Sequence, residues 1–285
     1  MKFVTFRRGA KAPEPGVVLG ERVVSLAGAG YGDLIAVLAH CDEARARIEN
    51  WVFNPPSEAV SDLAAVKLLA PVPRPPKFIC VGLNYRDHAI ESGMEIPSVP
   101  TIFNKFPNVV IGPGDPIVLP KVSTRPDYEA ELAFVIGRGG RAIPAARWRD
   151  HVFGYTIVND VSARDFQLAT SQWLMGKTFD SFAPTGPWIV EAADIADPHA
   201  LDISLSIGGE VLQNSNTREL IFKIPELVEY LSQVVTLEPG DIVATGTPPG
   251  VGFARKPPRY LLAGDQVTVR IQAIGELRNP VVAEG

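Results

Sequence analysis

The hydrophobic pattern along the chain changes period several times, and each change predicts an element. Lys2 to Phe6, Gly16 to Leu19 and Arg22 to Leu26 are short apolar-rich runs bounded by turn residues, and they read as strands. Tyr31 to Ala39 and Glu43 to Trp51 repeat apolar residues at helical spacing. Then comes "PVPRPPK", residues 71–77, where four prolines in six positions can continue neither a helix nor a central strand. An extended linker is expected there, dividing a small N-terminal domain (residues 1–70) from a larger one (residues 78–285). In the larger part, short strands are expected at Phe78 to Val81, Ile117 to Leu119, Glu129 to Ile136, Tyr155 to Val158, Trp188 to Val190, Ile203 to Ile207 and Val267 to Ile271. The clearest helix is Ile224 to Val235. The expected fold class is mixed α+β, predominantly β, with Gly-rich corners and no internal repeat.

One strand contradicts its own apolar pattern. In "RPDYEAELAFVIG", residues 125–137, strand alternation puts Glu129 and Glu131 on one face, while Leu132, Phe134 and Ile136 fill the other. Two carboxylates near a core survive by taking up protons, pairing with a basic residue or holding a cation; otherwise the strand end must be open to water. Asp160 ends another apolar run, Tyr155 to Val158, in "FGYTIVNDVSARD". Alone it would read as a turn or cap residue. Taken together, Glu129, Glu131 and Asp160 form a hard oxygen donor set suited to Mg²⁺, Mn²⁺ or Ca²⁺. Zinc is less suited, since His40, His88, His151 and His199 are scattered and no Cys/His quartet exists.

"VGLNYRDHAIESG", residues 81–93, reads as a short helix with Asn84 as its cap and Gly93 as its end. His88 and Glu91 are three apart and share a face, so the carboxylate can orient the imidazole as a general base; an ordinary surface pair would have the same spacing.

Composition narrows the classes. The 285 residues are 46% hydrophobic and 21% charged, with a net charge of -5, which suits a globular protein and offers no basic footprint for nucleic acid. Cys41 and Cys80 are too few for a disulfide framework. No apolar stretch reaches signal-peptide or membrane-span length, so a cytoplasmic protein with a small-molecule substrate and no membrane partner is expected. "MGKTFD" lacks the first glycine of a phosphate loop, position 171 being Ser171. "TGTPPGVG", residues 245–252, lacks dinucleotide spacing and reads as a turn, or as a loop whose amides approach a ligand. There is no Gly-x-Ser-x-Gly elbow.

Six motifs in order, "CVGLNYRDHAIE", "PDYEAELAFVIG", "GYTIVNDVSARDFQ", "WLMGKTFDSFAPTGPWIV", "TRELIFKIPELVEYLS" and "LEPGDIVATGTPPGVG", resemble the fumarylacetoacetate hydrolase family from about Phe78 onward. The resemblance implies a β-roll core, a homodimer as the minimum assembly, and Glu129, Glu131 and Asp160 as ligands of Mg²⁺ or Mn²⁺, with Ca²⁺ as an option. It implies that Lys177 steadies developing negative charge, that His88 and Glu91 sit on a lid and activate water, and that Gln167, Thr245 and Gly246 contact substrate. The fumarylacetoacetate-cleaving branch has a further aspartate ligand where Asn84 and Tyr85 stand here, so a different substrate is expected. The wording is closer to bacterial acylpyruvate hydrolases and hydroxymuconate-type isomerases. The implied activity is therefore hydrolysis of a C–C bond in acylpyruvate-type or β-diketo acids through a metal-stabilised enolate. Isomerisation or decarboxylation of 2-hydroxymuconate-type or 2-oxo dicarboxylic acids in aromatic catabolism is the alternative, and a non-catalytic member with a structural ion is a third.

Overall fold

A computed structural model of the chain describes residues 1–39, 41–93 and 95–285; the side chains of residues 41–44 and 92 are outside the description, as is His40. The N-terminal meander comprises β1 (Lys2–Arg7), β2 (Glu14–Leu19) and β3 (Arg22–Ser25), followed by helices α1 (Leu34–Ala39) and α2 (Cys41–Phe53). Residues 71–77 cross in irregular backbone to β4 (Phe78–Gly82), α3 (Arg86–Ser92) and β5 (Thr101–Lys105). Next come β6 (Ala130–Ile136), β7 (Val152–Asn159), the short helices α4 (Arg164–Gln167) and α5 (Leu174–Lys177), and β8 (Ala183–Glu191). The chain ends with β9 (Asp202–Ile207), β10 (Glu210–Asn216), α6 (Ile224–Val234), β11 (Ile242–Ala244), β12 (Gln266–Ile271) and β13 (Gly275–Ala283).

The large sheet runs β3-β2-β1-β8-β7-β6-β11-β4-β5, antiparallel except where β11 meets β4. A second sheet runs β10-β9-β12-β13, extended by Ile117–Leu119 parallel to β13. The architecture is mixed α+β and predominantly β. All seven residues of β6 are buried, as expected for a strand covered on both faces. The N-terminal meander is not walled off from the rest. β1 pairs with β8 at Lys2↔Val190 and Phe3↔Ile189, and Phe3 and Val17 share one apolar core with Phe134 and Ile157. The division at 71–77 is thus one of chain path; sheet and core run across it, because without β1 the inner strand β8 would present an open edge.

The site lies where β6 and β7 begin and end. Their register sets Ala130 opposite Asn159 and Glu131 opposite Val158. Past this last pair the Asp160 amide donates to the Glu129 carbonyl (2.9 Å) and Asn159 Oδ1 accepts from the Glu129 amide (3.0 Å). That clamp brings residues 30 positions apart to one point.

Candidate active site

Glu129, Glu131 and Asp160 are buried and each offers a carboxylate oxygen, all within 4.8 Å of one another. Of the ways a chain can keep such a cluster, pairing with bases covers only part. Lys177 Nζ donates to Glu129 Oε2 and Asp160 Oδ2, both at 2.8 Å. Arg164 reaches Glu129 Oε1 at 2.7 Å and Asp127 Oδ2 at 2.8 Å. Lys105 Nζ lies 2.6 Å from Asp160 Oδ1. Burial works against a charged Glu129, but the ammonium of Lys177 and the guanidinium of Arg164 outweigh it and hold its carboxyl at about 2. Glu131 has only the Gly246 amide, at 2.8 Å. Burial first, then the charges of Asp160 and Glu129, push its carboxyl well above the usual range. Four buried carboxylates, counting Asp127, thus face three cations among the described residues.

This imbalance fits a divalent ion. Asp160 Oδ1 is buried without an aligned hydrogen-bond donor, Glu131 lacks a salt-bridge partner among the described residues and has only the more distant Lys177 charge, and the ligand atoms are all hard oxygens. The residues that would hold Mg²⁺ or Mn²⁺ are Glu129, Glu131 and Asp160.

A cavity of about 210 Å³ opens over Glu129 and Glu131. Its polar lining includes His88, Arg164, Gln167 and Lys177; Phe103, Leu168, Trp173 and Phe253 supply apolar walls. Larger clefts exist, such as one of about 920 Å³ beside Met1 and Phe53, but no comparable set of buried charges converges there. His88 Nδ1 is 3.1 Å from Glu91 Oε2, which leaves Nε2 to exchange a proton. Glu91 also accepts from the Gly250 amide at 3.1 Å, and Asp87 Oδ2 accepts from Ser215 Oγ at 2.6 Å, so α3 is tied down at two points.

The structure corrects one expectation and shows what holds two further residues in place. Asn84 does not cap α3. The helix starts at Arg86 after Tyr85, and Asn84 Nδ2 donates to Phe222 O (3.0 Å) and Thr245 O (2.8 Å) while Oδ1 accepts from the Phe222 amide (2.8 Å). It is a buried cross-link between three segments. Asn84→Ala is expected to lower unfolding free energy by roughly 2–4 kcal/mol, read from urea denaturation, because it strands buried backbone groups. Thr245 does not contact the cavity. Its hydroxyl donates to Leu132 O at 2.8 Å, and Thr247 lines the cavity instead. Gly246 serves Glu131 through its amide, at φ +100°, where any side chain would crowd Asn84. The whole loop turns its amides toward acids, Gly250 to Glu91 and Gly252 and Phe253 to Asp127.

"MGKTFD" also acquires a reason. A Cβ on Gly176 would come within 2.3 Å of the Gln167 amide, so glycine lets α5 lie against α4 and delivers Lys177 to the acids. Sequence reasoning missed Asp127, Arg164 and Lys105. Asp127 has the same parity as Glu129 and Glu131, and Arg164 stands three before Gln167, whose Oε1 it binds at 2.8 Å. Those were the available signals.

The chain is similar to known proteins in both sequence and structure. The fumarylacetoacetate hydrolase C-terminal family matches residues 77–282. The chain is 51% identical over 219 residues to the mitochondrial oxaloacetate tautomerase fahd2 of Xenopus laevis, spanning 76% of this chain and 69% of the relative. It is 45% identical over 260 residues to the oxaloacetate tautomerase YisK of Bacillus subtilis, spanning 88% of this chain and 86% of the relative. The maleylpyruvate hydrolase of Sphingobium sp. SYK-6, solved with manganese(II) and pyruvate, superposes with a TM-score of 0.84 at 32% identity over 100% of both chains. No helix among the described residues is long and apolar enough to cross a membrane. With its motifs, its sheet and its acidic cluster in place, the chain belongs to the fumarylacetoacetate hydrolase family.

Proposed function

We propose that the protein is a divalent-metal-dependent tautomerase of small 2-oxo dicarboxylic acids of the oxaloacetate type. The observation that carries this reading is the convergence, in one cavity, of an imidazole held by a carboxylate with two buried cations above an acidic cluster that lacks a full set of counter-charges. A bound Mg²⁺ or Mn²⁺ would supply Lewis-acid stabilisation to charge on the substrate oxygens. The chain's own residues do the rest. Among the described residues Arg164 Nη2 is buried without a hydrogen-bond partner and would serve a substrate carboxylate, while Gln167 and the Phe253 ring steady the guanidinium. Lys177 sits beside the oxygens that become more negative as an enolate forms. His88 takes a proton from one position of the substrate and returns one to another through Nε2, with Glu91 holding the ring. A tautomerisation closes on these steps, with no water consumed and no group leaving.

Two relatives that act on oxaloacetate, at 51% and 45% identity, support this choice. The second reading is hydrolysis of a C–C bond in acylpyruvate-type acids, supported by likeness to the maleylpyruvate hydrolase; there His88 would activate water. A homodimer and a cytoplasmic setting remain part of the proposal. Metal-stripped protein resupplied with Mn²⁺ or Mg²⁺ is tested on enol-oxaloacetate, acetylpyruvate and maleylpyruvate, with products identified. Rapid loss of enol absorbance without a cleavage product supports the tautomerase; pyruvate released from the acylpyruvates with no acceleration of ketonisation establishes the hydrolase instead. Resupplied metal at a hundredfold excess over Kd is also expected to stabilise the fold by about 2.7 kcal/mol, seen as a rise in melting temperature.

A further inference from the structure

We infer that Lys105 is a positioning residue: a fixed internal cation that holds Asp160 and the backbone of Lys177 in the arrangement metal binding needs. The inference rests on the reading of Glu129, Glu131 and Asp160 as cation ligands. Lys105 Nζ donates to three carbonyls, Val161 O (3.0 Å), Lys177 O (2.6 Å) and Phe182 O (2.9 Å). These carbonyls belong to the segment after β7, the end of α5 and the approach to β8, so one ammonium fastens three pieces of chain. An ammonium has three donors, and all are engaged. Its 2.6 Å approach to Asp160 Oδ1 therefore supplies charge without an aligned hydrogen bond, and that oxygen keeps its lone pairs for a metal.

The two lysines divide the work. Lys177 donates to two carboxylates, lies over the Phe103 ring and lines the cavity, where it faces a substrate. Lys105 is 1% exposed and does not line that cavity; it borders a separate groove of about 730 Å³ beside β5 and α6. Two effects on metal binding oppose each other. The charge of Lys105 repels an entering cation, whereas its grip on Asp160 and Lys177 keeps the ligand set assembled. The grip outweighs the repulsion.

Lys105→Ala decides the sign. Calorimetric titration of the metal-stripped variant with Mn²⁺ is expected to show affinity weakened roughly 10–100-fold, the usual cost of losing a group that orients a ligand. Potassium or ammonium chloride should restore it and tetramethylammonium chloride at equal ionic strength should not, because three carbonyls and a carboxylate form an oxygen cage for a small monovalent cation. A loss of packing alone would not distinguish these salts. Unchanged or tightened affinity overturns the inference, as does a loss that no small cation repairs. Should the variant not fold in sodium buffer, recovery of native circular dichroism and Mn²⁺ binding in potassium or ammonium supports it, and failure in both overturns it. A wild type that takes up no Mn²⁺ defeats the reading of the three carboxylates; a binding wild type with an unaffected variant defeats only the role of Lys105.

Discussion

Glu131→Gln is expected to raise the melting temperature of the metal-free protein while removing its response to Mn²⁺. Among the described residues Glu131 has no salt-bridge partner; it has the Gly246 amide and only the more distant charge of Lys177, and it stands among buried carboxylates. The amide side chain keeps its shape and can still accept from Gly246, but it is spared the cost that burial beside Glu129 and Asp160 imposes on Glu131, which must either hold an uncompensated charge or take up a proton on folding. For a chain of this size each kcal/mol of relief is worth about 2–4 °C. Asp160→Asn should do the reverse. Asp160 is the shared counter-charge of Lys105 and Lys177, and its loss leaves buried ammonium charge uncompensated, at a cost of roughly 3–5 kcal/mol or on the order of 10 °C. Both variants should lose metal-induced stabilisation. Scanning calorimetry with and without Mn²⁺ checks all four numbers. If both variants destabilise the metal-free protein equally, the account of unbalanced charge is wrong.

His88→Gln is expected to lower kcat by roughly 10²–10⁴ with Mn²⁺ affinity unchanged. The imidazole lines the cavity but lies outside the acidic ligand set, so its removal takes away proton transfer and leaves the cation site intact. Glu91→Gln should cost less, since the amide oxygen can still face His88 Nδ1 or the Gly250 amide, the two contacts Glu91 now makes. Steady-state rates on enol-oxaloacetate at saturating metal, beside calorimetric Mn²⁺ titrations, separate the two effects. A His88 variant that keeps full kcat would remove the imidazole from the proton path, and a parallel loss of Mn²⁺ affinity would make it part of the cation site.

How far the site was legible varies by residue, and the variation has causes. The pairing of Glu129 with Glu131 is visible in strand parity, and that of His88 with Glu91 in helical spacing, because both relations are local and set by backbone geometry. The grouping of Asp160 with them was suggested by its place at a strand end and by the resemblance, while the β6–β7 register that brings it there is seen only in the structure. Thr245 and Gly246 belong to the loop beside the acids, where the Thr245 hydroxyl bonds Leu132 O and the Gly246 amide bonds Glu131. A motif identifies a loop, while the side of it that faces the cavity is settled by which hydroxyl Leu132 O captures. Asn84 fits the pattern of a helix cap, yet its amide found better partners in residues 222 and 245.

Alone, the chain's residue order determined the predominance of strands, the fully covered strand at 130–136, the two carboxylates on one face and the local His/Glu pair. These follow from periods of two and 3.6 residues that act over a few positions. Tertiary structure alone decided that the meander of residues 1–25 joins the main sheet, that Arg164 and Lys177 partly neutralise the acids, that Glu131 is left without a salt bridge among the described residues, and that Lys105 reaches from an outer strand to Asp160. The physical reason is that charge balance in a buried cluster belongs to all the groups that reach one point, and the residues that reach this one come from segments as far apart as 105 and 246.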